Sequence, residues 1–463
     1  MKKFFIWIII FCTIFIFTYA FSASYNSQNI DRLDYVIAIG IDKSPDNTTL
    51  QVSFEFTDLG AFSESDSKQG SKPIIDTVVA PSISASINLM NAYAGKQVNL
   101  SHCKVVVFSE DVARDGILEE VTYLMNSPQI RPTTNIIIAS DKAKDYIENS
   151  TSSLEGILTK YYNLFPTSAE YTGYTSNILL SRFYQNLTSD ESGAVAILGT
   201  KSKSANKNSS SQEEENTSKD SSQSQEENTS KDSSQSQEEN TSKEGSQSQE
   251  ENTSKEGSQS QEENTSKSNS TLESIAPGEN IVEGDRGTEN IGLAVFNKDK
   301  YIGNLSAIET LCYTLIEEEV DNFSVCIDHP TNPDKKIDVS VSSLEPNNVK
   351  VDISKDNPII TIKLNLTAKA LTGQNSLDFS DKDTLNSVNS ALKEFLTSKM
   401  KDFLYKTSKE YGCDINGFYR LVKQKFLTIP EYDNYNWEEM YKKADFNVEI
   451  DSDVISSFFV QNS

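Results

Sequence analysis

The chain opens on an unbroken apolar run. Phe4 to Phe17 follow Lys2 and Lys3, and the run continues more weakly through Thr18-Tyr19-Ala20-Phe21. Charged residues ahead of an apolar stretch form the pattern of an export signal, with cleavage expected after Ala20 or after Ser22. The 18 residues from Phe4 to Phe21 are also close to the length that crosses a bilayer. Lysines before the run and none close after it place the leading end in the cytoplasm and the rest outside. Residues 1–23 are therefore expected to be a signal peptide or membrane anchor.

Residues 24–200 alternate between strand and helix patterns. Tyr35–Ile41 is a short apolar run closed by the turn signal Ser44-Pro45-Asp46-Asn47. Leu50, Val52, Phe54 and Phe56 then alternate with Gln51, Ser53 and Glu55, which predicts a half-buried strand pairing back on the first. Ile83, Ile87 and Met90 have helical spacing, as do Ile117, Leu118, Val121, Leu124 and Met125. Lys104–Phe108 and Asn135–Ala139 are continuous apolar runs of buried-strand length, and Asp141 is placed to cap the helix after the second. Strand, helix, strand, helix predicts a βαβ unit with a right-handed crossover.

Apolar periodicity then stops. From 201 to 286 Ser, Glu, Gln, Asn, Lys and Thr dominate, and a 12-residue unit recurs with Gln225, Gln237, Gln249 and Gln261 in register. A solenoid repeat would carry apolar positions to stack on its neighbours. This one carries none and is expected to stay a disordered linker. Two readings of it are a spacer between two bodies and repeat expansion at a tolerant loop. Pattern resumes at 287. Gly292–Phe296 and Tyr301–Asn304 read as a hairpin, and Ala307, Leu311, Leu315 and Ile316 as a helix. Alternations follow around Ile337–Val341, Val349–Ile353 and Ile359–Leu366. Leu385, Val388, Leu392, Phe395, Phe403 and Leu404 mark a long amphipathic helix, and Val448, Ile450 and Val454 a closing strand. The segments are taken as a middle domain, 287–336, and a C-terminal α/β domain, 337–463.

Composition narrows the function. The net charge is −26, and residues 201–267 supply only −7 of it, with 8 Lys against 15 acidic residues. The patterned parts are therefore acidic too, which disfavours nucleic acid and anionic lipid surfaces as electrostatic partners. Two histidines, His102 and His329, leave little for Ser-His, Cys-His or zinc chemistry. No phosphate-binding glycine loop, HExxH or GxSxG occurs. No catalytic, cofactor or metal residue is nominated. Cys103, Cys312, Cys326 and Cys413 are expected as buried thiols, with Cys312–Cys326 the one bridge weighed against that. Cys12 is the one candidate for lipidation, although Phe11 before it is not small.

Several segments, in order, resemble the Ger(x)C family, the C subunit of spore germinant receptors. Asn29–Lys43 is similar to the opening of the family's mature chain, keeping Asp31-Arg32 and an apolar run that ends Gly40-Ile41-Asp42. It lacks the Cys-Trp that usually precedes this opening. Ser101–Gly116 resembles the family's His-x-Lys strand with its Ala-Arg-x-Gly turn, here His102, Lys104 and Ala113–Gly116. Gly292–Gly303, including Phe296, with Glu309-Thr310 resembles the start of the second part. Lys409, Asp414–Phe418 and Trp437-Glu438-Glu439 resemble its close. The resemblance implies an α+β or mixed α/β fold of three domains, with mixed or antiparallel sheets packed by helices. It implies a non-enzymatic protein on the outer face of the spore inner membrane, assembled with integral membrane A and B subunits to sense small nutrients. It implies no cofactor, no metal and no nucleic acid. The rivals are a stand-alone extracellular solute-binding lipoprotein and an unknown surface-attached enzyme. Structural roles are expected for the residues that carry the resemblance. His102 should sit in a turn, and Asp31-Arg32 should form a local ion pair or cap. Trp437 should pack inside the last domain, and Gly40, Gly116 and Gly292 should hold backbone conformations closed to other residues.

Overall fold

The computed structural model describes residues 2–22, 32–57, 74–150, 158–202, 287–370, 377, 379 and 381–456. Asp31 and the repeat from 203 to 286 lie outside the described residues. In chain order the first elements are α1 (Lys2–Ser22), β1 (Leu33–Lys43), β2 (Leu50–Phe56), β3 (Ile74–Ala80), α2 (Ile83–Ala94), β4 (Gln97–Asn99), β5 (Val105–Ser109), α3 (Glu110–Asp115), α4 (Leu118–Asn126) and β6 (Asn135–Ala139). Next come α5 (Ala143–Asn149), α6 (Leu158–Leu164), α7 (Ala169–Thr172), α8 (Leu180–Leu187) and β7 (Ala194–Lys201). After the repeat follow β8 (Thr288–Glu289), β9 (Leu293–Asn297), β10 (Lys300–Leu305), α9 (Ala307–Ile316), β11 (Asn322–His329), β12 (Asn332–Ser343), β13 (Asn348–Asp352) and β14 (Ile359–Ala370). The chain closes with α10 (Lys382–Tyr405), α11 (Tyr419–Lys423), α12 (Ile429–Tyr435), α13 (Trp437–Tyr441) and β15 (Asp445–Ser456).

Helix α1 is apolar on every side, and its large side chains from Phe4 to Phe17 are exposed. Cys12, also exposed, lies at its middle. Among the described residues no helix is long and apolar enough to cross a membrane.

The apolar runs read as buried strands pair in parallel. Strand β1 lies beside β5, β5 beside β6 and β6 beside β7, all parallel. Every residue of β5 and β6 is buried, as expected of central parallel strands covered on both faces. Antiparallel strands extend the sheet at both edges, giving ten strands in the order β10-β9-β7-β6-β5-β1-β2-β3, with β4 beside β1 and β8 beside β7. The β1–β2 hairpin predicted from the alternating pattern forms, with Ile41 opposite Val52 and Ile39 opposite Phe54.

Two expectations are overturned. Strand β2 is not half-buried, because Ser53 and Glu55 are as fully buried as Val52 and Phe54. Helix α6 covers that polar face through Tyr162, whose hydroxyl donates to Glu55 Oε2 at 3.0 Å. Asp141 does not cap α5. Asp42, a hundred residues earlier at the end of β1, accepts from the backbone N–H of Ala143 and Lys144 at 2.7 and 2.9 Å. Cys103, Cys312 and Cys413 are buried thiols, as read from the sequence, while Cys326 on β11 is only half-buried, and no disulfide joins it to Cys312.

The repeat does not bridge two bodies. Strand β7 pairs antiparallel with β8 and β9, placing Lys201 opposite Thr288 and Ile197 opposite Leu293. The Ser202 N–H donates to the Gly287 carbonyl at 2.9 Å. The chain therefore leaves and re-enters the fold at one point, and the spacer reading fails on that geometry. The segment 287–336 divides its strands between two sheets: β8, β9 and β10 complete the first, and β11 begins the second.

That second sheet has five strands in the order β11-β12-β14-β13, with β15 parallel to the whole length of β14. Alternate residues of β14, from Ile360 to Ala370, are buried. Helix α10 packs against this sheet, burying Val388, Leu392, Leu396, Met400, Phe403 and Leu404 along one stripe. A helix burying every fourth or third residue suits one face of a half-covered sheet.

Candidate functional site

Most of the described residues that carry the family resemblance are built into the scaffold. Asp42 is 2% exposed and supplies two acceptors to the start of α5, a cap the local sequence lacks. Burial pushes its carboxyl up from its ordinary value, and the two backbone donors oppose that. Gly40 lies beneath the same helix. Its backbone needs no positive φ. A Cβ there would come within 2.8 Å of Ile147 Cδ1 and 3.3 Å of the Ala143 backbone, so the requirement is close approach rather than conformation. Gly116 and Gly292 do sit at φ of 118° and 90°. His102 stands in a turn with its ring edge-on to Tyr35, centroids 4.6 Å apart. Arg32 is exposed. Phe296 is fully buried between Phe183 and Tyr301. Glu309 closes a capping box with Ser306 at the start of α9 and pairs with Lys406 at 2.9 Å. Trp437 is buried, and its Nε1–H donates to Asp414 Oδ2 at 3.0 Å.

A seam of polar contacts joins the two sheets. Arg182 on α8 reaches Glu317 and Glu319 just past α9, each at 2.5 Å, and donates to the Tyr313 hydroxyl at 3.1 Å. Asn416 donates to the other oxygen of Glu317 at 3.0 Å, and Ser176 to Glu319. Burial pushes the Glu317 carboxyl up, and Arg182 pulls it down. Nothing in the local sequence singled out Arg182, because its partners lie more than a hundred residues away.

Among the described residues an open cavity of about 320 Å³ is large enough for a small molecule. It opens at the leading ends of β5 and β6, lined by Lys104, Arg131, Thr134, Asn135, Tyr162 and Asn177 among others. Ligands of open α/β sheets usually bind at the opposite, carboxyl ends of the strands. Here Asp42 at the carboxyl end of β1 is already committed to α5. A second recess beside Asp414 and Trp437 holds about 10 Å³, room for about one water molecule. Among the described residues no three His, Cys, Asp or Glu side chains group to hold a metal.

Behind Tyr162 lies Glu55, fully buried, with Oε1 lacking any partner. Burial pushes its carboxyl up to about 8, against the lowering pull of the Tyr162 hydroxyl. In the unfolded chain the group ionises near 4.5. Between those values the unfolded state has released a proton that the folded state keeps, so stability falls as pH rises from 4.5 to 8 and levels off above. At pH 7 the loss is about 3 kcal/mol. Glu55→Gln keeps an acceptor for Tyr162 and cannot ionise. It should raise stability at pH 7 by about 2 kcal/mol and flatten that slope. Urea unfolding at pH 5 and pH 8 measures this, and an unchanged slope would show that Glu55 does not carry it.

Comparison with known proteins follows the same layout. Residues 26–201 match the family described as "Spore germination protein N-terminal domain". Residues 291–457 match "Spore germination B3/ GerAC like, C-terminal". The two matches stand in order on either side of the repeat and together cover about three quarters of the chain. A protein of Bacillus subtilis (strain 168), provisionally named spore germination protein YfkR, is 25% identical over 191 residues, which are 40% of this chain and 48% of that one. The chain thus spans about half the length of that curated relative. The crystal structure of the GerBC protein aligns over 90% of this chain and 96% of its own, at 12% identity and a TM-score of 0.48. The order and extent of the two family matches decide the assignment: the chain belongs to the Ger(x)C family of spore germination proteins.

Proposed function

We propose that this protein is the C subunit of a spore germinant receptor. It acts without bond-making, held at the outer face of the spore inner membrane and assembled with integral membrane A and B subunits. The observation that carries the reading is the pair of family matches in sequence order, one on each side of the repeat. Helix α1 supports the membrane location. A helix apolar all round, with exposed Phe and Ile side chains on every side, is stable in lipid and unstable in water. Acylation of Cys12, in the middle of that helix, would add to its hold on lipid and would not replace it, since one acyl chain anchors only marginally. The stand-alone solute-binding rival calls for two similar lobes around a cleft. A mixed ten-stranded sheet beside a five-stranded one offers less support for it.

Spores lacking this gene and its paralogues should lose germination in response to nutrients while still germinating on a non-nutrient trigger. The extent of germination under each trigger decides it, and a normal nutrient response overturns the receptor role. The intact protein should fractionate with spore membranes, and recovery in the soluble fraction overturns the anchorage.

A further inference from the structure

Helix α6 covers an acid that its surroundings cannot keep charged. Glu55 on β2 is fully buried, and its Oε1 has no hydrogen-bond partner. The groups that face it bring no positive charge. Tyr162 on α6 donates one hydrogen bond. Cys103, in the turn before β5, acts on Glu55 electrostatically, and burial pushes its thiol up to about 12. Tyr146 on α5 faces Tyr162 in turn, and burial raises both phenols well above their ordinary value. Across the ladder stand Ala38 on β1 and Ile75 on β3, both apolar. Lys104 acts on Cys103 and not on Glu55. Ser53, on the same face of β2, is already paired with Thr77 at 3.0 Å. A carboxylate in this setting would hold one neutral hydrogen bond and no counter-ion, and an uncompensated buried charge either neutralises or reaches water.

The short way to water runs past α6. A helix of seven residues has no stability of its own and stays folded through its contacts. Two tyrosines fasten it. Tyr162 bonds Glu55, and the Tyr161 hydroxyl accepts from Asn290 Nδ2 at 3.2 Å, a contact between neutral groups. Helix α6 and the turn after it also supply Tyr162, Asn163, Pro166 and Thr167 to the open cavity at the leading ends of β5 and β6, and Cys103 lines the same cavity. Releasing α6 therefore brings solvent to Glu55 while the β2 ladders to β1 and β3 stay paired. Local opening of this kind costs less than unfolding the sheet.

We propose that α6 is a pH-gated cover: loss of the Glu55 proton to solvent releases Tyr162, lifts α6 from the polar face of β2 and opens the cavity onto that strand, and reprotonation closes it. The device belongs to the fold of this chain and does not rest on the receptor reading. Covered, the Glu55 carboxyl is pushed up to about 8 by burial, whereas in water it returns to its ordinary value of 4.5. Between those values each pH unit should raise the ratio of open to closed protein about tenfold, and above 8 the rise stops.

Cys103 reports the opening, because it is buried beside Glu55 and lines the cavity that α6 helps to wall. The detergent-solubilised full chain is treated with N-ethylmaleimide at pH 6 and pH 7, and each cysteine is followed by peptide mass spectrometry. Cys312 and Cys413, buried under other elements, report unfolding of the whole molecule. Glu55→Gln keeps an acceptor for Tyr162 and cannot ionise, so it corrects for the thiol's own dependence on pH. From pH 6 to pH 7 the rate of Cys103 labelling in the parent, divided by that in Glu55→Gln, should rise about tenfold, with Cys312 and Cys413 slower throughout. Tyr162→Phe should label faster than the parent at both values and keep the parent's response to pH, since it loosens α6 and leaves the acid in place. A parent-to-variant ratio that does not move with pH overturns the proposal. Labelling of all three buried cysteines in step also overturns it, by placing the effect in global unfolding. Should Glu55→Gln fail to fold, amide exchange in the parent decides: protection of α6 relative to β6 should fall about tenfold per pH unit over the same range, and constant relative protection overturns the cover.

Discussion

Trp437→Ala is expected to destabilise the folded protein by about 4 kcal/mol, the largest effect of any single substitution considered. Two losses combine. The indole is 3% exposed and packs on Tyr441 with ring centroids 5.6 Å apart, so truncation leaves a cavity in a rigid aromatic cluster that also holds Phe418 and Phe446. Its Nε1–H also supports Asp414, a fully buried carboxyl already pushed up to about 6 by burial. With the indole gone, Asp414 keeps the Tyr419 backbone donor at 2.8 Å and loses a side-chain one. Trp437→Phe separates the terms, since it restores most of the volume and none of the hydrogen bond. It should cost about 1–2 kcal/mol. Denaturant unfolding of both variants provides the check, and equal losses for Phe and Ala would place the whole effect in the hydrogen bond.

Arg182→Ala should cost about 3 kcal/mol, for a different reason. The loss comes from what remains: Glu317 and Glu319, both largely buried and facing each other without the fork that held them. Arg182→Lys should recover only part, because an ammonium cannot reproduce two divergent guanidinium bonds and a third to Tyr313. Arg182→Ala combined with Glu317→Gln should recover more than the sum of the single changes implies, a coupling that a double-mutant cycle measures directly. Strict additivity would mean that the seam contributes nothing as a network. These contacts join α8 to the end of α9, so proteolysis of the alanine variant should speed up between the two sheets first.

Much of the architecture was legible in the order of apolar positions. The runs at 35–41, 104–108 and 135–139 announced buried strands because parallel strands need apolar residues on both faces. The stripe from Leu385 to Leu404 announced α10 because its period matched a helix on one sheet. The local pattern misleads wherever a distant element changes what it means. Glu55 alternates with apolar neighbours like any solvent-facing residue, and only α6, a hundred residues on, makes it a buried acid. Asp141 stands where a cap should, yet Asp42 performs that task from the far side of a strand pairing. The candidate site was hidden for the same reason. Its lining comes from four short polar stretches around 104, 131–135, 162–167 and 177–179, none with a period or a motif. Trp437 and Asp414 both stand out in the sequence, but their hydrogen bond does not, because spacing alone does not say which buried donor meets which buried acceptor.

The hydrogen bond between Ser202 and Gly287 has a consequence for how this gene can change. When two strand ends are clamped together, the intervening stretch is a closed loop, and its free-energy cost grows only with the logarithm of its length. Doubling such a stretch adds about 0.6 kcal/mol. Units of twelve residues can accordingly be gained or lost by copying errors while the paired strands beneath keep the same register. Selection for folding is nearly blind to the tally, because the pairing beneath the tract costs almost the same whatever its length.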